Sequence, residues 1–311
     1  MKAQAVVFQN PQHLRMQALE VPAPGIGEVE VEVEFSGIST GTERLLWDGT
    51  MPSFPGMGYP LVPGYESVGR VVRVGPQTTL QTDDQIFVPG AQCFQGVRNL
   101  FGGSASRLVV QEARTVKVQK SLGERGVLLA LAATARHALA NAAPPDLIIG
   151  HGVMGRLLAR LTIAAGHPAP TVWELNTARQ TGADGYPVIS PKDDPRHDYR
   201  AIYDVSGDSA ILDKAIACQA SGGEVVLAGF YKQSLGFAFA PAFMRETRIR
   251  VAAQWKRDDL VHVADLAHSG ELSLDGLITH TETPANAADA YELAFADSQC
   301  LKMILDWNYA E

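Results

Sequence analysis

Cysteine, basic clusters and long apolar runs are scarce in this sequence, and each shortage removes a class of protein. Cys93, Cys218 and Cys300 are its only thiols. They are odd in number and far apart, so neither a disulfide framework nor a cysteine-based zinc motif is indicated. No segment approaches the roughly 18 consecutive apolar residues that could span a bilayer. The opening MKAQAVVFQN alternates like a strand and lacks the apolar stretch and small-residue cleavage site of a secretory leader, so a cytoplasmic protein is expected. The net charge of −8 is spread along the chain without the Lys/Arg cluster that nucleic-acid binding requires, so no nucleic-acid partner is expected. What remains is ordinary globular material, 46% apolar and 19% charged over 311 residues, enough for two domains.

The organisation changes along the chain. Up to about residue 122 the sequence is rich in β-branched residues and Gly/Pro punctuation, with short runs such as EVEVEVEF and ESVGRVVRVG, and reads as an irregular β domain. From residue 123, GERGVLLALAATARHALANAA has helical spacing and is expected to stop at Pro144-Pro145. DLII, a glycine turn and a long helix follow, then strand candidates TVWEL, YRAIYDVSG, GGEVVLAGF and RIRVAAQ. Alternating strand and helix means a parallel sheet. We therefore expect residues 1–122 and 255–311 to form one domain, around a parallel-sheet domain at 123–254. The last segment carries the helical runs RDDLVHVADLAHSG and NAADAYELAFA and the strand LKMILDW.

The glycine turn, Gly150-His151-Gly152-Val153-Met154-Gly155, fits the G-x-G-x-x-G dinucleotide fingerprint. Alone that pattern is weak, but here a strand precedes it, a helix follows, and Glu174 closes the next strand 24 residues beyond Gly150. Gly150 permits the tight turn, Gly152 lets the backbone approach a diphosphate at the helix N-terminus, and Gly155 lets helix and strand pack closely. Glu174 should accept from ribose hydroxyls and repel a 2′-phosphate, which favours NAD as cofactor over NADP. Arg179 is the opposing feature, since it could meet a 2′-phosphate or stand as a solvated surface residue. His151 is expected to face the phosphates, and His137, on an apolar helix, to be a satisfied core histidine.

At this point the chain resembles the medium-chain dehydrogenase/reductase superfamily nearly end to end. SGISTGTE is similar to the family's active-site turn, VPGYESVG to its Gly-His-Glu segment, DDQIFVP to its Gly-Asp-Arg-Val strand, and GGSASRLVV to its Gly-Gly-x-Ala strand. LAATARHAL resembles the helix leading into the cofactor domain. The resemblance implies a Rossmann doubly wound parallel-sheet domain and a GroES-like β-rich catalytic domain. It also implies a nicotinamide-side lining from Ser206 and Gly207 in DVSG and from Gly229 and Phe230 in GGEVVLAGF. Zinc-dependent members carry a Cys and a His where Thr40 and Tyr65 are matched here, and a hydroxyl and a phenol are poor Zn²⁺ ligands. The expectation is an enzyme without a metal. Between Glu174 and Asp204 the usual second helix shrinks to something like NTARQT.

Among zinc-free members, STGTE, PGYE, the short chain and the terminal LDW most resemble a branch acting on tetrapyrroles in bacteriochlorophyll synthesis. That implies NAD-dependent oxidation of a ring-attached 1-hydroxyethyl group to acetyl. Thr42 matches the family's proton-relaying hydroxyl, Glu43 its deeper acid, and Tyr65 with Glu66 its His-Glu pair. All four could also be structural. Trp47, Phe54, Met57 and Tyr59, with Phe94, Phe101 and Trp255 as weaker candidates, could line a wide apolar site for a macrocycle or merely pack a loop. Two alternatives stand beside this one: a zinc-free quinone or enoyl reductase, against which Glu174 argues, and a non-catalytic nucleotide-binding module, against which the retained Thr42, Glu43 and Glu66 argue. A homo-oligomer is left open.

Overall fold

The computed structural model describes residues 1–309 and divides into two compact units. One comprises Met1–Ala130 and the chain from Leu274 onward, and the other is Leu131–Ser273. The first boundary lies beyond the expected residue 122 because Lys120–Leu128 forms a 3-10 run in contact with strands Glu28–Ile38 and Ser67–Val74. The second lies beyond residue 254 because helix Arg257–Ser269 stays with the second unit. Its Asp259 binds Arg136 at 2.5 Å and His137 at 2.8 Å, and Arg160 donates to the Ser273 carbonyl at 2.8 Å. His137 is thus a satisfied, half-buried histidine. The helix Leu129–Leu139 ends before Pro144-Pro145, and Asn141 takes a left-handed φ of 57° after it.

In the first unit the alternation of EVEVEVEF makes Glu28–Ile38 a long strand, because successive side chains point to opposite faces. Val29, Val31 and Val33 enter the core. Two of the glutamates meet arginines instead: Glu30 binds Arg73 and Arg107 at 2.7 and 3.1 Å, and Glu32 binds Arg70 and Arg107, both at 2.6 Å. The long strand sits between Met303–Asp306 and Ser67–Val74 in a sheet that continues to His280–Glu282 on one side and Gln85–Val88 and Val116–Lys117 on the other. A second sheet runs His13–Glu20, Lys2–Asn10, Leu61–Pro63, Arg98–Leu100. The core between them holds Phe8 edge-on to Trp47 and Tyr291, with ring centroids 5.5 and 5.1 Å apart. Met303–Asp306 pairs antiparallel with Phe35–Ile38, so the last strand flanks the end of the long one.

The second unit is a parallel sheet in the order Val188–Ile189, Thr171–Trp173, Leu147–Ile149, Tyr199–Asp204, Gln219–Leu227, Arg248–Val251. Leu147–Ile149 is its first strand in chain order, and later strands are added on one side of it and then the other. That reversal is the topological switch point at which open α/β sheets bind ligands. In place of a full second helix there is only the 3-10 turn Thr177–Arg179. Arg156, 5% exposed, holds this segment by donating to the carbonyls of His151, Arg179, Thr181 and Gly182 at 2.8–3.3 Å.

Candidate active site and cofactor turn

The long strand of the first unit ends at Ile38 and the chain turns into helix Thr42–Asp48. Ser39, in that turn, faces inward. Its Oγ lies 2.7 Å from the Tyr65 hydroxyl and accepts from the Thr42 amide at 3.4 Å, while its own amide donates to Glu43 Oε1 at 3.3 Å. The Thr42 side chain lies close enough to the phenol to oppose the rise in its pKa. Three hydroxyls, Ser39, Thr42 and Tyr65, therefore converge. Thr40 is exposed and takes no part in the cluster. The inward amide and hydroxyl contacts belong to Ser39, and the next side chain turns to solvent. Phe101 packs edge-on against Tyr65 with ring centroids 5.7 Å apart.

Beneath the hydroxyls lie two buried acids. Glu43, 1% exposed, accepts from the Tyr291 hydroxyl at 2.7 Å. Burial above all, with the Glu66 charge adding to it, pushes its carboxyl up to about 8, although hydrogen bonds from Tyr291 and Ser39 oppose the rise. Burial and then the Glu66 charge likewise raise the Tyr65 phenol well above its ordinary value. It is therefore a hydrogen-bonding phenol at neutral pH, and no phenolate. Glu66 is fully buried and paired with Lys302 at 2.7 Å, and Lys302 also donates to the Ile38 carbonyl at 3.2 Å. A zinc ion does not fit this donor set: Ser39 and Tyr65 are closed on each other, the phenol resists ionisation, and the cysteines are buried elsewhere.

Of the expected aromatic lining, Trp47 and Phe94 belong to the core, and the Tyr59 hydroxyl is spent on the Leu46 carbonyl. Phe54 and Phe101 are exposed.

In the second unit the glycine turn joins strand Leu147–Ile149 to helix Val153–Ala164. Gly150 takes φ +105°, open to glycine but strained for other residues, and a side chain on Gly155 would collide with the Gly150 carbonyl. Around Gly152 an added Cβ would meet nothing within 4 Å, which leaves open space above the N-terminus of helix Val153–Ala164. Val153 is buried at the start of that helix and Met154 is partly exposed. The turn abuts Ser206, whose Cα lies 3.2 Å from the Cβ position of Gly150, and the Cβ position of Gly229 is 3.5 Å from the Gly207 amide. Gly150, Ser206, Gly207 and Gly229 thus gather at the carboxyl ends of adjacent strands. Next to them Phe230 is half-exposed, and Tyr231 caps the buried Asp204 carboxyl. This arrangement fits a dinucleotide.

His151 departs from expectation, for its imidazole is fully buried, with Nδ1 2.6 Å from the Arg179 carbonyl and Nε2 2.9 Å from the Tyr186 hydroxyl. The ring thus points inward, toward the 179–186 segment. Burial above all pushes it down to about 4, so it is neutral, donating through Nδ1 and accepting through Nε2. Glu174 accepts from the His151 amide at 3.0 Å and the Asn176 amide at 2.7 Å, which ties the acid to the glycine turn. Arg179 contributes its carbonyl to His151 and Arg156.

Sequence reasoning misses Ser39, Arg156, Tyr291 and Lys302. Two of them leave a signal: Lys302 is a lone cation within the apolar run CLKMILDW, and Arg156 sits on the buried face of an apolar helix. Such residues are almost never fully buried unless paired.

Fold and site together define a medium-chain dehydrogenase. The alcohol dehydrogenase GroES-like domain matches residues 25–120, and acetophenone reductase from Geotrichum candidum, solved in complex with NAD, superposes with a TM-score of 0.81 at 20% identity over 98% of this chain and 97% of that one. The 2-desacetyl-2-hydroxyethyl bacteriochlorophyllide A dehydrogenase of Rhodobacter capsulatus is 54% identical over the whole of both chains, and that of Cereibacter sphaeroides is 52% identical over 99% of each. The chain belongs to the 2-desacetyl-2-hydroxyethyl bacteriochlorophyllide A dehydrogenase family.

Proposed function

We infer that this protein oxidises the hydroxyethyl side chain of a bacteriochlorophyllide to an acetyl group in bacteriochlorophyll synthesis, using a nicotinamide cofactor. The observation that carries the inference is the end-to-end identity of 54% with the Rhodobacter capsulatus dehydrogenase. When bound, the oxidised nicotinamide supplies the hydride acceptor. The carbinol C–H then leaves as hydride, the O–H leaves as a proton, and the C–O bond becomes the ketone.

This chain's own residues hold the reactants and move the proton. Gly150, Gly152 and Gly155 admit the diphosphate to the amides of the Val153–Ala164 helix, where the dipole favours an anion. We propose NAD over NADP, because the Glu174 carboxylate beside that turn would repel a 2′-phosphate. The hydroxyls of Ser39, Thr42 and Tyr65 are proposed to take the alcohol proton. Because Tyr65 resists ionisation, it acts by donating one hydrogen bond while accepting another, passing the proton along Ser39 and the partly exposed Thr42 to solvent water, the final acceptor. A chain of neutral hydroxyls needs no metal to lower the alcohol pKa if the reactants are well positioned, so we propose a reaction without zinc. Conjugation of the new carbonyl with the macrocycle favours the product.

We place the reaction in the cytoplasm, where buried cysteines outside any disulfide are stable. Among the described residues no helix is long and apolar enough to cross a membrane. The test is incubation of the protein with NAD+ and the hydroxyethyl bacteriochlorophyllide, in chelator, while following the long-wavelength absorption band. A shift of that band with appearance of NADH is expected. No shift, with turnover of quinones or enones instead, would replace this function by reduction of a conjugated double bond, and loss of activity together with bound zinc would remove the metal-free part.

A further inference from the structure

Lys302 is 2% exposed on its side chain, and Glu66 is 0% exposed. Removing both charges from water costs several kcal/mol per ion, so a fully buried pair is weak as a source of stability. The position of this pair is more informative than its energy. Glu66 directly follows Tyr65, and Ile38, whose carbonyl also accepts from Lys302, directly precedes Ser39. One ammonium group therefore bridges the two separate turns that carry the paired hydroxyls.

Three further features build this bridge. Lys302 directly precedes the strand Met303–Asp306, whose register against Phe35–Ile38 sets Met303 opposite Ile38 and so fixes the lysine beside the Ser39 turn. Gly37 leaves the space that the Glu66 carboxylate fills, since a side chain there would strike Glu66 Oε2. Glu66 Oε1 is buried without a hydrogen-bond partner, so Lys302 is the partner that holds this carboxylate among the described residues. An orphaned buried oxygen is costly. Its retention fits a site built for placement of the turns.

We propose that Lys302 is a positioning residue for the dehydrogenation: it locks the Ser39 turn to the Tyr65 turn and thereby fixes the 2.7 Å contact between their hydroxyls. The proposal rests on the proton-conducting role assigned above to Ser39 and Tyr65. Lys302 touches neither hydroxyl and works through the Ile38 carbonyl and the Glu66 carboxylate.

The test compares three variants with the wild type. Lys302→Met alone leaves Glu66 buried and unpaired and should lose much of its thermal stability. The double variant Glu66→Gln with Lys302→Met removes both charges and should regain most of the melting temperature while leaving the turns unlocked. In it kcat should fall about 10- to 100-fold, the size expected for an ångström-scale misplacement of reacting groups, with NAD+ affinity unchanged. Lys302→Arg restores a cation and should recover most of the turnover.

Amide hydrogen exchange of the double variant provides a readout free of any substrate. The amides of Ser39 and Glu43, which bond within the turn, should exchange at least about tenfold faster than in wild type, with the second unit unchanged. A double variant with wild-type kcat and wild-type exchange overturns the proposal, as does a well-folded Lys302→Arg that stays as slow as the double variant. If the wild type itself fails to oxidise the hydroxyethyl substrate, the assigned reaction falls, and the exchange measurement alone then decides whether Lys302 locks the turns.

Discussion

Replacing Glu43 by Gln tests the buried acid beneath the hydroxyl cluster. The carboxyl is held between the Tyr291 hydroxyl at 2.7 Å and the Ser39 amide at 3.3 Å, and burial pushes it from 4.5 to about 8. The folded chain thus keeps a proton that the unfolded chain has already released across that interval. Stability from this group is therefore complete below pH 4.5, declines as pH rises, and is gone above about 8. At about 1.4 kcal/mol per pH unit, the decline amounts to roughly 5 kcal/mol over the whole interval and about 4 between pH 5 and pH 8. Glutamine has nearly the same volume and no charge at any pH, so the variant should lack this decline. Groups that titrate equally in both proteins cancel in the difference.

Urea unfolding at several pH values, followed by tryptophan fluorescence, reads the effect. Trp47 stacks on Tyr291 at 6.4 Å and reports on the first unit. With m of about 2–3 kcal/mol/M, the midpoint of the variant should gain about 1–2 M relative to wild type between pH 5 and pH 8. Parallel pH dependences in the two proteins would mean that Glu43 is ionised when folded, and the charge assignment under Tyr65 would be wrong.

Five other substitutions bear on the hydroxyl cluster and the glycine turn. Ser39→Ala and Tyr65→Phe should each lower kcat about 10²- to 10⁴-fold with little change in NAD+ affinity, whereas Thr40→Ala should leave kcat near wild type; steady-state kinetics with matched melting temperatures checks both. Glu174→Ser should narrow the preference for NAD+ over NADP+, and a wild type already favouring NADP+ would mean that Arg179 governs the choice. Gly155→Ala would drive a methyl group into the Gly150 carbonyl, so it should destabilise the second unit by about 1–3 kcal/mol and weaken NAD+ binding in calorimetry.

The cofactor turn is legible in the amino-acid sequence because its determinants are local. Glycine at 150, 152 and 155 meets backbone requirements, and the flanking strand and helix are written in short-range periodicity. The shortened second helix is visible for the same reason, as NTARQT is too brief to make one. Domain boundaries are less legible. Where helix Arg257–Ser269 packs is decided by Asp259 meeting Arg136 and His137, 123 and 122 residues earlier, and no local pattern encodes that meeting.

The catalytic turn divides in the same way. Its sequence alone marks a place where Thr40 and Tyr65 stand for a thiolate and an imidazole, beside Thr42, Glu43 and Glu66. It singles out Thr40, whereas the folded turn buries Ser39 and exposes Thr40, because in a tight turn a single residue of register exchanges the inward and outward side chains. It points His151 at the phosphates, although Tyr186 and the Arg179 carbonyl draw the ring inward. Periodicity and glycine spacing determined the parallel-sheet unit and its glycine turn, because those are properties of neighbouring residues. Only the tertiary structure brought Lys302 to Glu66 and Tyr291 to Glu43, across 236 and 248 residues, because burying a charge demands a partner and the folded chain chooses it.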